Sequence, residues 1–281
     1  MKQVLLIGAR SFIGTHWLKW FPSSPKTDHK LSENNYLLNL ISPDLSSIPL
    51  EGLSHALITA GWTNIASCEE NPEKSYACNV TGTLSLAKKL SEKGICPILF
   101  STDAIFDGNL GNYSEKSLPS PVNHYSRQKV ELEKQLPEVC KDDYLLLRLS
   151  KIFSLEKGDG TLLDEMTTTL KKGNIFRAAT DQIFCPLLID DLIEVLYRLI
   201  QSGARGLFNV AGQSSISRYD LAIQLSKALN LNQELIQPIK IDALDTSIKR
   251  SKNTSLNISK LVKTLSFHPT PLSKTIQLVA D

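Results

Sequence analysis

The chain of 281 residues alternates short, continuous apolar runs with longer segments in which apolar residues recur every three or four positions. The first pattern predicts strands buried on both faces of a parallel sheet, and the second predicts helices that cover the sheet. The predicted strands are residues 3–7, 55–60, 95–100 and 144–149, and the predicted helices lie at residues 12–21, 71–94 and within 123–133. This order predicts an α/β fold with a doubly wound parallel sheet of the Rossmann type.

Beyond Ser150 the strict alternation is lost. The pattern there predicts helices and one small strand, at residues 158–173, 190–202, 217–229 and 235–241. We therefore expect a first domain over residues 1–150, with residues 187–212 packing back on it. Residues 151–281 are expected to form mainly a smaller, mixed α/β lobe.

Composition excludes several classes of function. With 42% hydrophobic and 21% charged residues, the chain has the composition of an ordinary soluble globular protein. A net charge of +2 without a basic cluster argues against a nucleic-acid partner. The apolar run at the N-terminus enters a glycine turn too early for a signal peptide or a membrane span. We therefore expect no membrane partner. The five cysteines show no metal-binding spacing, so we expect no metal site, and they predict thiols in a reducing compartment, which indicates a cytoplasmic protein.

A glycine turn follows the first strand. Gly8 and Gly14 match the outer positions of Gly-x-x-Gly-x-x-Gly, whereas the middle position is Ser11. In dinucleotide-binding units such a turn lets the backbone approach a pyrophosphate, which rests on the N-terminus of the next helix. Because one glycine is missing, a plain strand-to-helix turn stays an alternative.

The choice of dinucleotide depends on the second strand, for which residues 36–41 are the candidate. An acidic residue about twenty positions past the turn normally binds the ribose of NAD. Asp28 and Glu33 are nearby in sequence, but no acidic residue stands clearly at a strand end. Arg10, in the turn, could instead bind a 2′-phosphate, which favours NADP; a solvated loop arginine is the alternative.

Tyr125 and Lys129 are four residues apart, so on a helix they share one face. An ammonium about 4 Å from the phenol, at an effective dielectric of about 20, contributes about 4 kcal/mol and would lower the pKa of the tyrosine from about 10 toward neutrality. Thr102 ends a predicted strand, where catalytic groups of open parallel sheets gather. A surface helix and an ordinary strand-end threonine are the alternatives for these residues.

Three motifs in this order resemble a known family. They are Gly8-Ala-Arg-Ser-Phe-Ile-Gly14, Ser101-Thr-Asp-Ala-Ile-Phe-Asp-Gly108 and Tyr125-x-x-x-Lys129. Together they resemble the extended short-chain dehydrogenases/reductases, and among these the dTDP-4-dehydrorhamnose reductases. The resemblance implies NAD(P)H-dependent reduction of the keto group of a nucleotide-linked 4-keto-6-deoxy sugar, in polysaccharide precursor synthesis. It also implies that the first domain binds the dinucleotide and that the lobe binds the substrate.

The resemblance assigns roles to individual residues. It implies a catalytic trio, of which Tyr125 and Lys129 also touch the dinucleotide: Thr102, Tyr125 and Lys129. It implies further contacts to the dinucleotide, which we expect to be NADP(H): Gly8, Arg10, Ser11, Phe12, Ile13, Asp44, Leu45, Ala60, Gly61 and Trp62. Contacts to the sugar nucleotide would come from Thr102, Asp103, Ala104, Lys151 and Arg250.

Three positions depart from the family's pattern. Ala104 stands where the family has tyrosine, Lys151 where it has tryptophan and Leu187 where it has threonine. These changes alter the shape and charge expected of the sugar pocket, so the standard rhamnose precursor need not be the substrate. Two other functions stay open: a non-catalytic, dinucleotide-binding regulatory subunit, as the β subunit of methionine adenosyltransferase resembles this family, and a nucleotide-sugar epimerase or dehydratase. A homodimer is considered, but the sequence leaves the oligomeric state open.

Overall fold

The computed structural model describes residues 3–30, 35–243 and 248–280. Its strands are β1 (Gln3–Ile7), β2 (Lys26–Asp28), β3 (Tyr36–Leu37), β4 (Leu53–Ile58), β5 (Cys96–Thr102), β6 (Leu145–Leu149), β7 (Ile152–Phe153), β8 (Phe176–Ala179), β9 (Ile183–Phe184), β10 (Leu187–Leu188), β11 (Gly206–Val210), β12 (Ile216–Ser217) and β13 (Ile236–Ile239). Its α-helices are α1 (Phe12–Trp20), α2 (Ile65–Glu70), α3 (Pro72–Tyr76), α4 (Thr83–Ser91), α5 (His124–Cys140), α6 (Leu162–Lys171), α7 (Ile189–Ser202), α8 (Arg218–Ala228), α9 (Ser259–Leu265) and α10 (Leu272–Ala280).

The large sheet has the strand order β11-β6-β5-β4-β1-β2-β3. Strand β1 pairs in parallel with β2 on one side and with β4 on the other, and β4 pairs in parallel with β5. The chain thus starts in the middle of the sheet and winds outward in both directions, which confirms the predicted Rossmann-type fold. The carboxyl ends of parallel strands meet at one edge, where ligands of this fold bind.

Unit 1 consists of residues 1–102, 123–148 and 193–208. Its core joins apolar side chains of the sheet to those of the covering helices, among them Leu5, Ile7, Ala56, Ile58, Leu86, Leu90, Leu132, Leu136 and Leu146. Burying each of the larger side chains contributes about 1.5–3 kcal/mol. This packing fixes α4 and α5 against the sheet, so side chains on α5 have defined positions at its carboxyl edge.

Unit 2 consists of residues 103–122, 149–192 and 209–281. It has three two-stranded ladders: β7 with β10 and β8 with β13 are parallel, whereas β9 with β12 is antiparallel. A separate core fills it, including Phe153, Leu163, Met166, Phe176, Phe184, Leu221 and Leu225. Because it has its own core, unit 2 satisfies the usual criterion for a compact domain.

The expected second strand at residues 36–41 is wrong in position. The strand that pairs with β1 is β2, at Lys26–Asp28, and β3 lies outside it as a two-residue strand. Three residues are too few to show a period, and Thr27 is buried because it lies between two other strands. As a consequence Asp28, the last residue of β2, stands at the carboxyl edge of the sheet.

The long helix expected over residues 71–94 is divided. A π-helical stretch, Ala77–Gly82, joins α3 to α4 and contains the buried residue Asn79. π-helical turns are rare and frequent at functional sites.

The longest helix within the described ranges, α5, has 17 residues. None of the helices described in this chain has the length and apolar character needed to cross a membrane.

Candidate active site

Two glycines are sterically required in the turn after β1. Gly8 has φ of +98°, and a Cβ there would lie 2.7 Å from the backbone nitrogen of Ala60. A Cβ on Gly14 would collide with the carbonyl oxygen of Gly8. Ser11, which replaces the middle glycine, has φ of −68° and caps α1, because its Oγ accepts a hydrogen bond from the Gly14 N–H at 2.9 Å. The turn therefore fits a pyrophosphate on the N-terminus of α1 despite the missing glycine.

Asp28 and Arg10 form an ion pair beside this turn. Arg10 donates from Nε and Nη2 to the two carboxylate oxygens at 2.6 and 2.8 Å, and the His29 N–H adds a third hydrogen bond at 2.6 Å. The Arg10 hydrogen bonds hold the pKa of Asp28 below its usual value. The expectation that no acidic residue stands clearly at a strand end is therefore wrong for Asp28, whereas Glu33 lies outside the described residues. Arg10 is not simply a solvated loop arginine. An acidic residue and an arginine both stand where the dinucleotide ribose is bound in this fold.

The loop after β4 is held by one side chain of the π-helical stretch. Asn79 accepts a hydrogen bond from the Trp62 N–H and donates one to the Trp62 carbonyl oxygen, both at 2.8 Å. Ala60 is tied to β1 through its N–H, which donates to the Ile7 carbonyl oxygen at 3.1 Å. Two of the three loop residues expected at the dinucleotide thus have fixed backbones.

The remaining residues expected at the dinucleotide differ in exposure. Phe12 and Ile13 form the first turn of α1, and the Phe12 ring lies against His16. Asp44 is exposed and accepts two hydrogen bonds from Ser46, whereas Leu45 is buried in the core of unit 1. Asp44 is thus available at the surface, and Leu45 has mainly a packing role.

Helix α5 starts at a defined place because its N-terminus is capped twice. Asn123 and Ser126 form a capping box, in which each side chain bonds the backbone N–H of the other. The His124 N–H donates to Glu69 Oε1 at 2.6 Å, which anchors the helix start to the end of α2. These bonds fix the first turn of α5, which carries the buried Tyr125.

Lys129 lies beside Tyr125 and is tied to β5. Its Nζ is 5.9 Å from the centroid of the Tyr125 ring and donates to the Phe100 carbonyl oxygen at 2.9 Å. Burial lowers the pKa of Lys129 to about 8. The carboxylate one turn further along, Glu133, is held by Arg148 at 2.7 Å. Lys129 therefore carries a costly charge beside Phe100, two residues before Thr102 at the end of β5, which is a setting suited to stabilising a tyrosinate.

Asp103, expected at the substrate, is a cross-link within unit 2. Its Oδ2 accepts hydrogen bonds from Ser150 Oγ at 3.1 Å and from Thr254 Oγ1 at 2.8 Å. Ser150 Oγ also accepts from the Cys185 N–H at 3.2 Å. Ala104 follows in a 3₁₀ turn, Asp103–Ile105. The carboxylate of Asp103 thus connects three segments of unit 2.

Lys151 belongs to a group of charges in unit 2. Its side chain is accessible to solvent, yet burial of the ammonium and the nearby Arg218 guanidinium lower its pKa. Arg218 donates to Glu165 at 2.8 Å and lies 5.4 Å from the centroid of the Phe176 ring. Among the described residues, neither Lys151 nor Arg250 forms an ion pair, and the positive charge of Arg250 also lowers the pKa of Lys151. An excess of positive charge in this group would favour an anionic ligand.

Sequence reasoning missed several of these residues. Asp28 stands 20 positions after Gly8 (28 − 8), the spacing typical of the ribose-binding acid, so a signal was present although the strand was too short to recognise. For Glu69, Gln128 and Arg218 there was no signal, because their partners are distant in sequence.

The family model described as "RmlD substrate binding domain" matches residues 2–281, which is nearly the whole chain. Among curated proteins, the "probable low-salt glycan biosynthesis reductase Agl14" of Haloferax volcanii is 29% identical over 206 residues, covering 72% of this chain and 68% of that protein. Methionine adenosyltransferase 2 subunit beta of Rattus norvegicus is 28% identical over 202 residues, covering 69% of this chain. That match spans 59% of the subunit, less than two thirds of its length.

Solved structures share the fold over almost the whole chain. The dTDP-4-dehydrorhamnose reductase of Bacillus anthracis, in complex with NADP, is 21% identical, with a TM-score of 0.86 and coverage of 99% of this chain and 98% of that one. MoeE5, in complex with UDP-glucose and NAD, is 17% identical, with a TM-score of 0.81 and coverage of 99% and 97%. The chain therefore belongs to the RmlD substrate binding domain family, and with it to the nucleotide-sugar oxidoreductases of the extended short-chain dehydrogenase/reductase type.

Proposed function

We propose that the protein reduces the 4-keto group of a nucleotide-linked 4-keto-6-deoxy sugar with NADH or NADPH, in polysaccharide precursor synthesis. The observation that carries the proposal is the half-buried Lys129, whose Nζ lies 5.9 Å from the centroid of the Tyr125 ring and donates to the carbonyl oxygen of Phe100. This places a charge next to a phenol at the edge of the sheet where ligands of this fold bind. The names of two relatives add support: the probable low-salt glycan biosynthesis reductase Agl14, and the dTDP-4-keto-6-deoxy-D-glucose reductase of Streptomyces niveus, which is 24% identical over 198 residues.

In this proposal the bound nicotinamide supplies the hydride that forms the new C–H bond at the sugar carbonyl carbon. Tyr125 donates its proton to the carbonyl oxygen as the C=O double bond becomes a C–O single bond, and the tyrosinate regains a proton from water. Lys129 stabilises the tyrosinate, since a cation near a phenolate favours the charged form. Thr102, at the end of β5, donates a hydrogen bond to the carbonyl oxygen.

For the dinucleotide we propose that both NADH and NADPH bind, rather than NADPH alone. Asp28 would accept a hydrogen bond from the 2′-hydroxyl of NADH while its pair with Arg10 stays intact. Because the side chain of Arg10 is 55% exposed, it can turn away from Asp28 and bind a 2′-phosphate. A carboxylate alone would repel that phosphate, so the arginine decides how well NADPH is accepted.

Unit 2 would then bind the sugar nucleotide, with Arg250 and Lys151 directed to its anionic groups. Since Ala104 and Lys151 replace two aromatic residues of the family's pattern, we propose a sugar other than the standard rhamnose precursor. The five cysteines are thiols, which fits the cytoplasm as the place of this reaction.

The test is to follow oxidation of NADH and NADPH with a panel of dTDP-, GDP- and UDP-linked 4-keto-6-deoxy sugars and one 4-keto sugar that carries a carboxylate. Tyr125→Phe should lower kcat by about 10²- to 10⁴-fold, since it removes the proton donor. Tyr144→Phe removes a phenol from the core of the same unit and should leave kcat within about twofold. Absence of turnover with every sugar, in protein that binds a dinucleotide, would overturn the proposal.

That result would instead support the second candidate, a non-catalytic regulatory subunit. The similarity to methionine adenosyltransferase 2 subunit beta favours it. A third outcome, NAD that copurifies and stays bound through turnover, would indicate an epimerase or dehydratase.

A further inference from the structure

A buried chain of side-chain amides connects the helix that carries Tyr125 and Lys129 to the loop after β4. Gln128, 4% exposed, precedes Lys129 on α5. Its Oε1 accepts a hydrogen bond from Asn79 Nδ2 at 2.9 Å. Asn79, 2% exposed, in turn holds both backbone groups of Trp62 at 2.8 Å.

The other end of Gln128 is anchored as well. Its Nε2 donates to Ser75 Oγ at 2.7 Å and to the Pro72 carbonyl oxygen at 3.4 Å. Ser75, which is completely buried on α3, donates to the same carbonyl oxygen at 3.1 Å. All four amide N–H groups of Gln128 and Asn79, and both amide oxygens, therefore have partners within unit 1. A fully satisfied buried network of this kind holds its members in a single arrangement.

The side chains of Gln128 and Asn79 cannot change conformation without losing hydrogen bonds. A buried amide that loses its partner leaves polar atoms unsatisfied, which is costly, so neither Gln128 nor Asn79 can turn away without a loss of stability. A shift of the Trp62 loop relative to α5 would break at least one of these bonds. The loop carries residues that we propose to contact the dinucleotide, and α5 carries the proposed proton donor.

We propose that Gln128 is a positioning residue, which through Asn79 holds the Trp62 loop in register with Tyr125 and Lys129 and so aligns the bound dinucleotide with the proton donor. The proposal rests on the proposed function for its catalytic part only. Its structural part concerns the loop and dinucleotide binding, and can be tested without any sugar.

The experiment compares Gln128→Met with Gln135→Met. Gln135 lies two turns further along α5, and within the described part of the chain its side chain bonds Glu131, on the same helix, at 2.6 Å, so it serves as a matched control. Three quantities are measured: hydrogen exchange of the Trp62 and Leu57 backbone amides in the free protein, the Kd of NADH and NADPH by direct titration, and kcat and KM with the sugar that is turned over.

For Gln128→Met we expect exchange at Trp62 to accelerate at least tenfold while exchange at Leu57, within β4, stays within twofold. The Kd of both dinucleotides should rise about tenfold, and kcat should fall while the KM of the sugar nucleotide stays unchanged. Gln135→Met should behave as the wild type. Ser75→Ala removes one hydrogen-bond partner of Gln128 and very little volume, so it should cause the same changes to a smaller extent. It tests the proposal if Gln128→Met does not fold.

Equal acceleration at Trp62 and Leu57 would mean a general loss of stability and would overturn the proposal. So would unchanged Trp62 exchange and dinucleotide Kd in both variants. If the protein binds dinucleotide but reduces no sugar, the proposed function fails, whereas the loop and Kd measurements still decide whether Gln128 holds the loop.

Discussion

Two cations at the carboxyl edge of the sheet in unit 1 are held in opposite ways. Lys129 is half-buried, its Nζ donates to a backbone carbonyl oxygen, and burial of the ammonium lowers its pKa to about 8. Arg10 is exposed on a loop and bonds the carboxylate of Asp28 through two nitrogens. The charge of Lys129 is thus under-compensated in the free protein, whereas that of Arg10 is compensated. An under-compensated cation such as Lys129 can stabilise an anion that forms during the reaction. A compensated cation on an exposed loop, such as Arg10, can leave its carboxylate and bind another anion.

The largest expected effect is at Lys129. At about 6 Å and an effective dielectric of about 20, its charge contributes about 3 kcal/mol to a tyrosinate, which corresponds to about a hundredfold in rate. We therefore expect Lys129→Met to lower kcat/KM by about 10²-fold or more in the reductase assay. Lys134→Met, which changes an exposed lysine of the same helix, is the control and should have no effect. Equal activity of the two variants would show that the buried charge has no part in the reaction.

The pH dependence of kcat/KM should reveal the contribution of the Lys129 charge in the unmutated protein. The protonated form of Lys129 stabilises the tyrosinate, so kcat/KM should be full below about pH 8 and fall about tenfold per pH unit above it, once the lysine loses its proton. A rate profile that is flat from pH 7 to 9.5 would contradict this expectation.

The free energy of unfolding should rise with pH in the range where kcat/KM falls. The pKa of Lys129 is about 8 in the folded state, against its ordinary value of 10.5 in an unfolded chain, so between these values the unfolded state binds more protons. The free energy of unfolding should therefore rise with pH over this window as far as Lys129 determines it. Denaturant unfolding at pH 8 and pH 10 would measure the rise, and Lys129→Met should remove it.

The smallest expected effect is at the ion pair between Arg10 and Asp28. Arg10→Ala should raise the Kd of NADPH severalfold and leave that of NADH nearly unchanged, because only a 2′-phosphate needs the arginine. Asp28→Asn should weaken NADH and improve NADPH, since the carboxylate is lost and the arginine released. Titration of both dinucleotides into both variants measures this, and a parallel change for NADH and NADPH in either variant would argue against an exchangeable pair.

Local features were predictable where neighbouring residues decide the structure. The buried runs of β1 and β5 and the four-residue spacing of Tyr125 and Lys129 depend only on the chain within a few positions. Ser11 shows what a glycine motif cannot predict. The serine that replaces the middle glycine caps α1, a role that the spacing of the motif does not indicate.

The sequence by itself determined the Rossmann-type sheet, the glycine turn and the helix with its phenol and amine on one face, because periodicity and steric needs act locally. The tertiary structure alone decided that Asp28 ends a strand beside Arg10, that Asp103 connects Ser150 to Thr254, and that Gln128 joins Ser75 to Asn79. Each of these arrangements depends on residues that are far apart in the chain. A hydrogen bond between them exists only after the sheet and helices have brought them together, and burial then makes it costly to lose.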